Sequence, residues 1–389
     1  MKKTLILTAS IQAILLAGVH ALPITAGNIV VERIGDGTAA LSSTSTKVAV
    51  LEFTTVGGPV QTLDITGALS TFSESGTATS AGYLNLSTDG SLVTLPGYNA
   101  VSGISGVVGG TSAREFASIT IGGTISSQTL SPSTAYQTNN FRSVISDGGG
   151  NFWGSGTASG AGGTGGIHFI TASGVATQIS STVTNTRNVE IYNNQLYFST
   201  GSGSTKGIYA VGSGLPTSGS VTSTLLFSDV GAGSPYGFFL ADTNNDTFTD
   251  TAWVSDDRTG AGGGLQKWTF DGSAWTNAYK VLLDVSTAVN PGDQGDFTGG
   301  NKGLRGLTGY YDQNGAHLFA TDSDGTRLVS ILDSGATPTS FTLLANSGAN
   351  YAFRGVDVLA VPEPTAFASL ILGIVGLCGW QRFRRVARN

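Results

Sequence analysis

The chain predicts an all-β fold, a β-propeller of about six blades. Three observations carry that reading: composition, the spacing of short apolar runs, and an internal repeat. Of 389 residues, 40% are hydrophobic, enough for a large buried core, while only 11% are charged and 57 are Gly. The glycines follow no three-residue period, which excludes collagen. Glu, Lys and Arg are too sparse for heptads, which excludes a coiled coil.

Short apolar or alternating runs recur at 29–34, 47–54, 60–65, 83–86, 118–121, 167–170, 195–199 and 207–211. They continue at 238–241, 251–254, 265–270, 280–283, 316–320, 326–332 and 339–344. Each is bounded by Gly, Asn, Asp, Ser or Pro, the pattern of strands between turns. No interior stretch carries a capped helical period.

The repeat joins an Arg, a small residue and an apolar residue to a later apolar strand. Its clear copies are Phe141-Arg142-Ser143-Val144, Thr186-Arg187-Asn188-Val189, Leu304-Arg305-Gly306-Leu307 and Phe353-Arg354-Gly355-Val356. Pro235-Tyr236-Gly237-Phe238 and Ala81-Gly82-Tyr83-Leu84 are degenerate copies. Counted at residues 81, 142, 187, 236, 305 and 354, the copies are spaced by 61, 45, 49, 69 and 49 residues. A unit near 45–50 residues with four short strands is a propeller blade. The widest interval, 236 to 305, holds Gly-rich insertions at 261–264 and 291–303.

The last copy runs out of chain after one strand. The runs at 29–34, 47–54 and 60–65 can supply its missing three, so that both chain ends share one blade and no sheet edge stays free. A pair of β-sandwiches or a β-solenoid remains the alternative fold.

The two ends read as addresses. Lys2 and Lys3 precede an apolar run over 5–19 and then Val19-His20-Ala21, the layout of a signal peptide over 1–21. Cleavage after Ala21 is expected, with Ala26 as a second choice and an uncleaved anchor as the alternative. The body spans 28–360. The segment 361–389 holds Pro362-Glu363-Pro364, an apolar stretch over 366–380, and a basic stop cluster at Arg382, Arg384 and Arg385. Arginines beyond the stretch would stay on the cytoplasmic side and orient it N-out, C-in.

That order resembles the PEP-CTERM sorting signal, over these last 29 residues only (361–389). The resemblance implies recognition by an exosortase-type processing enzyme and membrane anchoring by the C-terminal helix, transient or permanent. It also implies an address in the cell envelope, at the cell surface or in the extracellular matrix, with exopolysaccharide as a partner. An ordinary membrane anchor is the alternative.

Charge narrows the partners further. Residues 28–360 keep 13 of the 19 basic residues and 24 of the 25 acidic ones, a balance of 13 − 24 = −11. With a pI near 5.0, nucleic-acid binding is not expected. The one cysteine, Cys378, lies in the apolar tail, so neither a disulfide scaffold nor a thiol enzyme is expected.

Catalytic signals are sparse. His168 and His317 fall in expected strands and read as structural; there is no H-E-x-x-H, G-x-S-x-G or P-loop pattern. The glycines at 160, 162 and 165 match G-x-G-x-x-G but lead into a strand, so no dinucleotide site is expected. The strongest lead is a calcium loop at Asp242, Asn244, Asp246 and Asp250, whose oxygens alternate as hard-cation ligands do. It resembles the aspartate-rich loops of FG-GAP-type blades, but Thr247 stands where a turn glycine belongs and Trp253 where a glutamate does. A metal-free turn is the other reading. Asp256, Asp257, Asp293 and Asp296 read as loop charge, or as carboxylates for glycoside hydrolysis if they converge. Trp153, Trp253, Trp268 and Trp275 read as filling between sheets.

The functional expectation is a non-catalytic exported surface or matrix protein, associated with exopolysaccharide. The alternative is a secreted carbohydrate-active hydrolase or lyase on the same fold. Carboxylates, His and Tyr converging on the propeller's mouth would discriminate the two.

Overall fold

The computed structural model describes residues 22–203, 206–229, 233–260 and 262–359. The leader at 1–21 and the tail with Pro362, Glu363, Pro364, Arg382, Arg384 and Arg385 lie outside the described residues. Six antiparallel sheets make a six-bladed propeller. Blade 1 comprises Ala352–Val358, Ile29–Ile34, Val48–Phe53 and Pro59–Asp64, from the axis outward. Blade 2 runs Asn85–Leu86, Leu92–Asn99, Arg114–Thr120 and Ile125–Thr129, with Phe72–Ser75 and Ser45–Thr46 added beside its second strand. Blade 3 is Phe141–Ser146, Asn151–Gly156, Gly166–Thr171 and Ala176–Ser180. Blade 4 is Val189–Tyr192, Gln195–Thr200, Gly207–Val211 and Ser223–Ser228. Blade 5 is Pro235–Ala241, Thr251–Asp256, Gly264–Phe270 and Trp275–Val281. Blade 6 is Leu304–Asp312, Gly315–Asp322, Arg327–Asp333 and Ser340–Asn346, with Gln294–Asp296 outside it.

Each copy of the sequence repeat supplies or leads into the innermost strand of one blade. Ring closure takes the form expected from the truncated last copy: Ile29 pairs with Val358 and Ile34 with Ala352, so the two ends zip into one sheet. Packing starts before residue 28. Ile24 is buried and its N–H donates to the Ile121 carbonyl at 2.8 Å, while Thr25 N–H donates to Glu52 Oε1 at 2.9 Å.

The core lies between blades. A strand sends alternate side chains to opposite faces, and in blade 1 both faces are covered. Val30, Ile34, Val48 and Val50 enter a cluster shared with blade 2, whereas Ile29, Val31, Leu51 and Phe53 enter one shared with blade 6. The same division recurs around the ring. Trp153 fills the gap between blades 3 and 4, Trp268 that between 4 and 5, and Trp253 that between 5 and 6. Trp253 Nε1 also donates to Asp333 Oδ2 across blades 5 and 6 at 2.7 Å.

Candidate functional site at the propeller axis

The repeat motif marks a bulge. In blade 6, Leu304 pairs with Asp322 and Leu307 with Ala320, so Arg305 and Gly306 together oppose Thr321. In blade 1, Arg354 and Gly355 oppose Glu32 between the Phe353–Arg33 and Val356–Val31 pairs. Tyr236 and Gly237 do the same against Ser255 in blade 5, and Arg142 is the extra residue in blade 3. A bulge re-aims a side chain, and these bulges turn a long polar side chain of the inner strand toward the axis. The glycines allow close approach: a Cβ at Gly355 would strike the backbone at Tyr83 and Leu84, and one at Gly237 the backbone of Arg305 and Leu307.

Second-strand hydroxyls latch each bulge to the next blade. Ser255 Oγ donates to the Arg305 carbonyl at 2.6 Å, Thr321 Oγ1 to that of Arg354 at 2.7 Å, and Ser199 Oγ to that of Tyr236 at 2.5 Å. Ser155 Oγ donates likewise to the Arg187 carbonyl. In blade 1 the corresponding position holds Glu32, fully buried against Gly82 and Arg354, with neither carboxyl oxygen hydrogen-bonded among the described residues. Burial, then the neighbouring Glu74, pushes Glu32 well above the usual carboxylate range, against the pull of Arg354. Burial also pushes Glu74 up to about 8. Burial therefore pushes both carboxyls toward the neutral acid.

Four of the body's eight arginines and two tyrosines thus crowd one mouth of the channel. Tyr83 of blade 2 and Tyr236 of blade 5 come from opposite sides, ring centroids 6.2 Å apart, and both are buried. Arg187 lies 3.7 Å and Arg305 5.3 Å from the Tyr236 ring centroid. Arg187 Nη1 donates to Ser234 Oγ and the Pro235 carbonyl, Arg142 Nη1 to Asn185 Oδ1 and the Thr186 carbonyl, and Arg305 Nη2 to Asp257 Oδ2 at 3.0 Å. Burial lowers Arg142 and Arg354 to about 10, which leaves both charged at neutral pH. The remaining space beside Tyr83, Arg305 and Arg354 is about 10 Å³, room for one water-sized particle.

Deeper along the axis runs a hydrogen-bonded belt. Asn85 donates to Ser143 Oγ, Ser143 to Asn188 Oδ1, and Asn188 to Glu190 Oε1, each at 2.8 Å. Asp357 accepts from Leu86 N–H, Val358 N–H and Thr308 Oγ1. Burial and then Asp357 raise Glu190 well above its ordinary range, and burial raises Asp357.

Apart from Asp257, the residues expected from sequence to form sites lie elsewhere. Asp242, Asn244 and Asp246 close one tight turn on themselves. Asp242 accepts from the N–H groups of Asp246 and Thr247, Asn244 from Asp246 N–H, and Asp246 from Phe248 N–H. Asp250 turns away to accept from Thr243 N–H and Oγ1. Thr247, at the place of the missing glycine, has φ 78°. Among the described residues no group of three or more His, Cys, Asp or Glu is placed to hold a metal ion. Asp256 is bound to Arg258, Ser234 N–H and Gln266, and Asp257 to Arg305 at the mouth. Asp293 accepts from the N–H groups of Val289 and Asn290, and Asp296 from Thr298 N–H. His168 Nε2 meets Thr164 Oγ1 at 3.0 Å, and burial lowers its pKa to about 4, so the ring is neutral.

A wider groove of about 670 Å³ opens between blades 6 and 1. The Tyr310 ring, 36% exposed, stacks on His317 at 4.6 Å and 11°. Hydroxyls of Ser330, Thr339, Ser340 and Thr342 line its walls, and none of its lining residues is Asp, Glu, Lys or Arg.

No protein-family model matches the chain, nor does any curated protein. Solved structures of similar shape include a Bacteroides uniformis protein provisionally assigned as a 6-phosphogluconolactonase, at 13% identity and TM-score 0.44, covering 81% of this chain and 83% of that one. TolB from Acinetobacter baumannii follows at 11% and 0.42, covering 85% and 67%. A Thermus thermophilus protein provisionally assigned as a glucose dehydrogenase gives 13% and 0.41, covering 84% and 98%. Likeness at this level carries no function across.

Proposed function

We propose that this chain is a non-catalytic exported surface or extracellular-matrix protein. In this reading residues 1–21 are a cleaved leader, and the tail over 361–389 is a PEP-CTERM-like sorting and anchoring segment handled by an exosortase-type enzyme. The propeller is then displayed outside the cell and associates with exopolysaccharide. One observation carries the non-catalytic part: among the described residues the Tyr83–Tyr236 pair and the surrounding arginines leave a cavity of only about 10 Å³ beside them. The buried Ile24 supports cleavage after Ala21 over Ala26, because the later cut would strip a core residue and its hydrogen bond to Ile121. The uncharged groove at Tyr310 supports glycan contact, since an aromatic face with hydroxyl walls suits a sugar ring.

The alternative, a carbohydrate-active hydrolase or lyase, is favoured by Glu190 and Asp357, two carboxyl groups raised by burial that interact within the channel. Against it, Asp357 is held by two backbone N–H groups and Thr308. The test is co-sedimentation of the body over 22–359 with exopolysaccharide from the producing cell, together with assay of released sugar. The proposal expects binding that Tyr310→Ala weakens and no release. Release abolished by Glu190→Gln would replace it with the alternative.

A further inference from the structure

The mouth concentrates positive charge inside an acidic body. Arg354 is 7% exposed and Tyr83 4%, and the two line the same small cavity with Arg305. The Tyr83 hydroxyl is buried and has no hydrogen-bond partner among the described residues. Burial raises its pKa well above the ordinary phenol value, so it remains an O–H donor. An unpaired buried hydroxyl is costly, and two neighbouring guanidinium groups repel one another. Arg305 lowers the pKa of Arg354, which places their charges in mutual reach. Arg305 gives Nε and Nη2 to Asp257, and Arg354 gives Nη1 and Nη2 to the Phe353 and Gly76 carbonyls. Glu32 and Glu74 are the acids that act on Arg354, and burial pushes both toward the neutral form. Asp322, which also lines the cavity, spends its carboxylate on Thr326 and on Arg327 N–H.

We propose that this cavity binds one small monovalent anion of halide size, held by Arg305, Arg354 and the Tyr83 hydroxyl. The anion joins the segment leading into the inner strand of blade 2 to the inner strands of blades 6 and 1, where the chain ends close the ring. The inference is independent of the function proposed above and holds for an enzyme or a binding protein alike. The cavity admits a single particle, which excludes sulfate, phosphate and whole carboxylates.

The test compares thermal unfolding of the body over 22–359 at pH 7 in sodium bromide and in sodium gluconate of equal ionic strength. The midpoint is expected to rise with bromide concentration and to saturate roughly 5 °C above gluconate. Tyr83→Phe removes only the unpaired hydroxyl. It should leave stability in gluconate unchanged or higher, and weaken the apparent bromide affinity about tenfold. In a bromide-soaked crystal, an anomalous peak is expected beside Arg354. Coincident midpoints in the two salts, a Tyr83→Phe response equal to wild type, or a water without anomalous signal in the cavity would each overturn the proposal.

Discussion

Thr321 ties its own blade to the next by bonding the carbonyl of Arg354, at 2.7 Å, while accepting from Gly306 N–H at 2.9 Å. The contact repeats, with Ser155, Ser199 and Ser255, at three further junctions. The ring is therefore held by polar latches around the axis and by apolar clusters farther out.

Removing one latch should cost more than an exposed hydrogen bond, because both partners are buried. Thr321→Val keeps the shape and is expected to lower unfolding free energy by about 1–3 kcal/mol in urea, with Thr321→Ser restoring most of it. Equal stability of the valine variant and wild type would show that the latches carry no weight.

Glu32 and Glu74 make stability depend on pH in a stated direction. A carboxyl with a raised folded pKa keeps its proton in the fold after the unfolded chain has lost it. Its contribution is full below about 4.5 and declines as pH rises, until the folded value of about 8 at Glu74 is passed. Each such proton contributes a slope of about 1.36 kcal/mol per pH unit. The groups facing the pair are Arg354 and, near Glu74, Arg114. Urea unfolding between pH 5 and 8 should show this decline, and the double variant Glu32→Gln, Glu74→Gln should flatten it. Parallel pH profiles would contradict the burial of neutral acids here.

Much of this architecture was legible in the sequence, for physical reasons. The repeat stood out because a bulge that aims Arg305 or Arg354 inward also requires Gly306 or Gly355 beside it, which gives a recognisable dipeptide. Ring closure was legible because the last copy has no chain left to form its own sheet. The second strand of blade 2, Leu92–Asn99, was not expected, since Pro96 and Gly97 argue against a strand interior. Gly97 is required there because Phe72 packs over it, and a Cβ would strike the ring. The latch serines were hidden in a Ser- and Thr-rich chain. Glu32 reads in sequence like any strand charge, and nothing local announces that Gly82 and Arg354 will enclose it. Glu190 and Asp357 were missed for the same reason, because 167 residues separate two groups that interact across the channel.

The loop at 242–250 should behave as a turn. Its carboxylates accept from their own backbone N–H groups, which holds the turn together without a cation. Thermal midpoints in EDTA and in millimolar calcium are expected to agree within about 1 °C. Asp242→Ala should cost about 1 kcal/mol equally in both buffers. A calcium-dependent rise lost in Asp246→Ala would restore the metal reading.

The central claim, an exported propeller sorted by its tail, is tested most directly by intact-mass spectrometry of the protein recovered from the envelope of the producing cell. The account predicts a chain beginning at Leu22 and shortened within the tail. Replacing Pro362, Glu363 and Pro364 by alanine should give a chain that keeps its leader cleavage but retains the full tail. A mass corresponding to all 389 residues, or the same processed mass in wild type and variant, would contradict it.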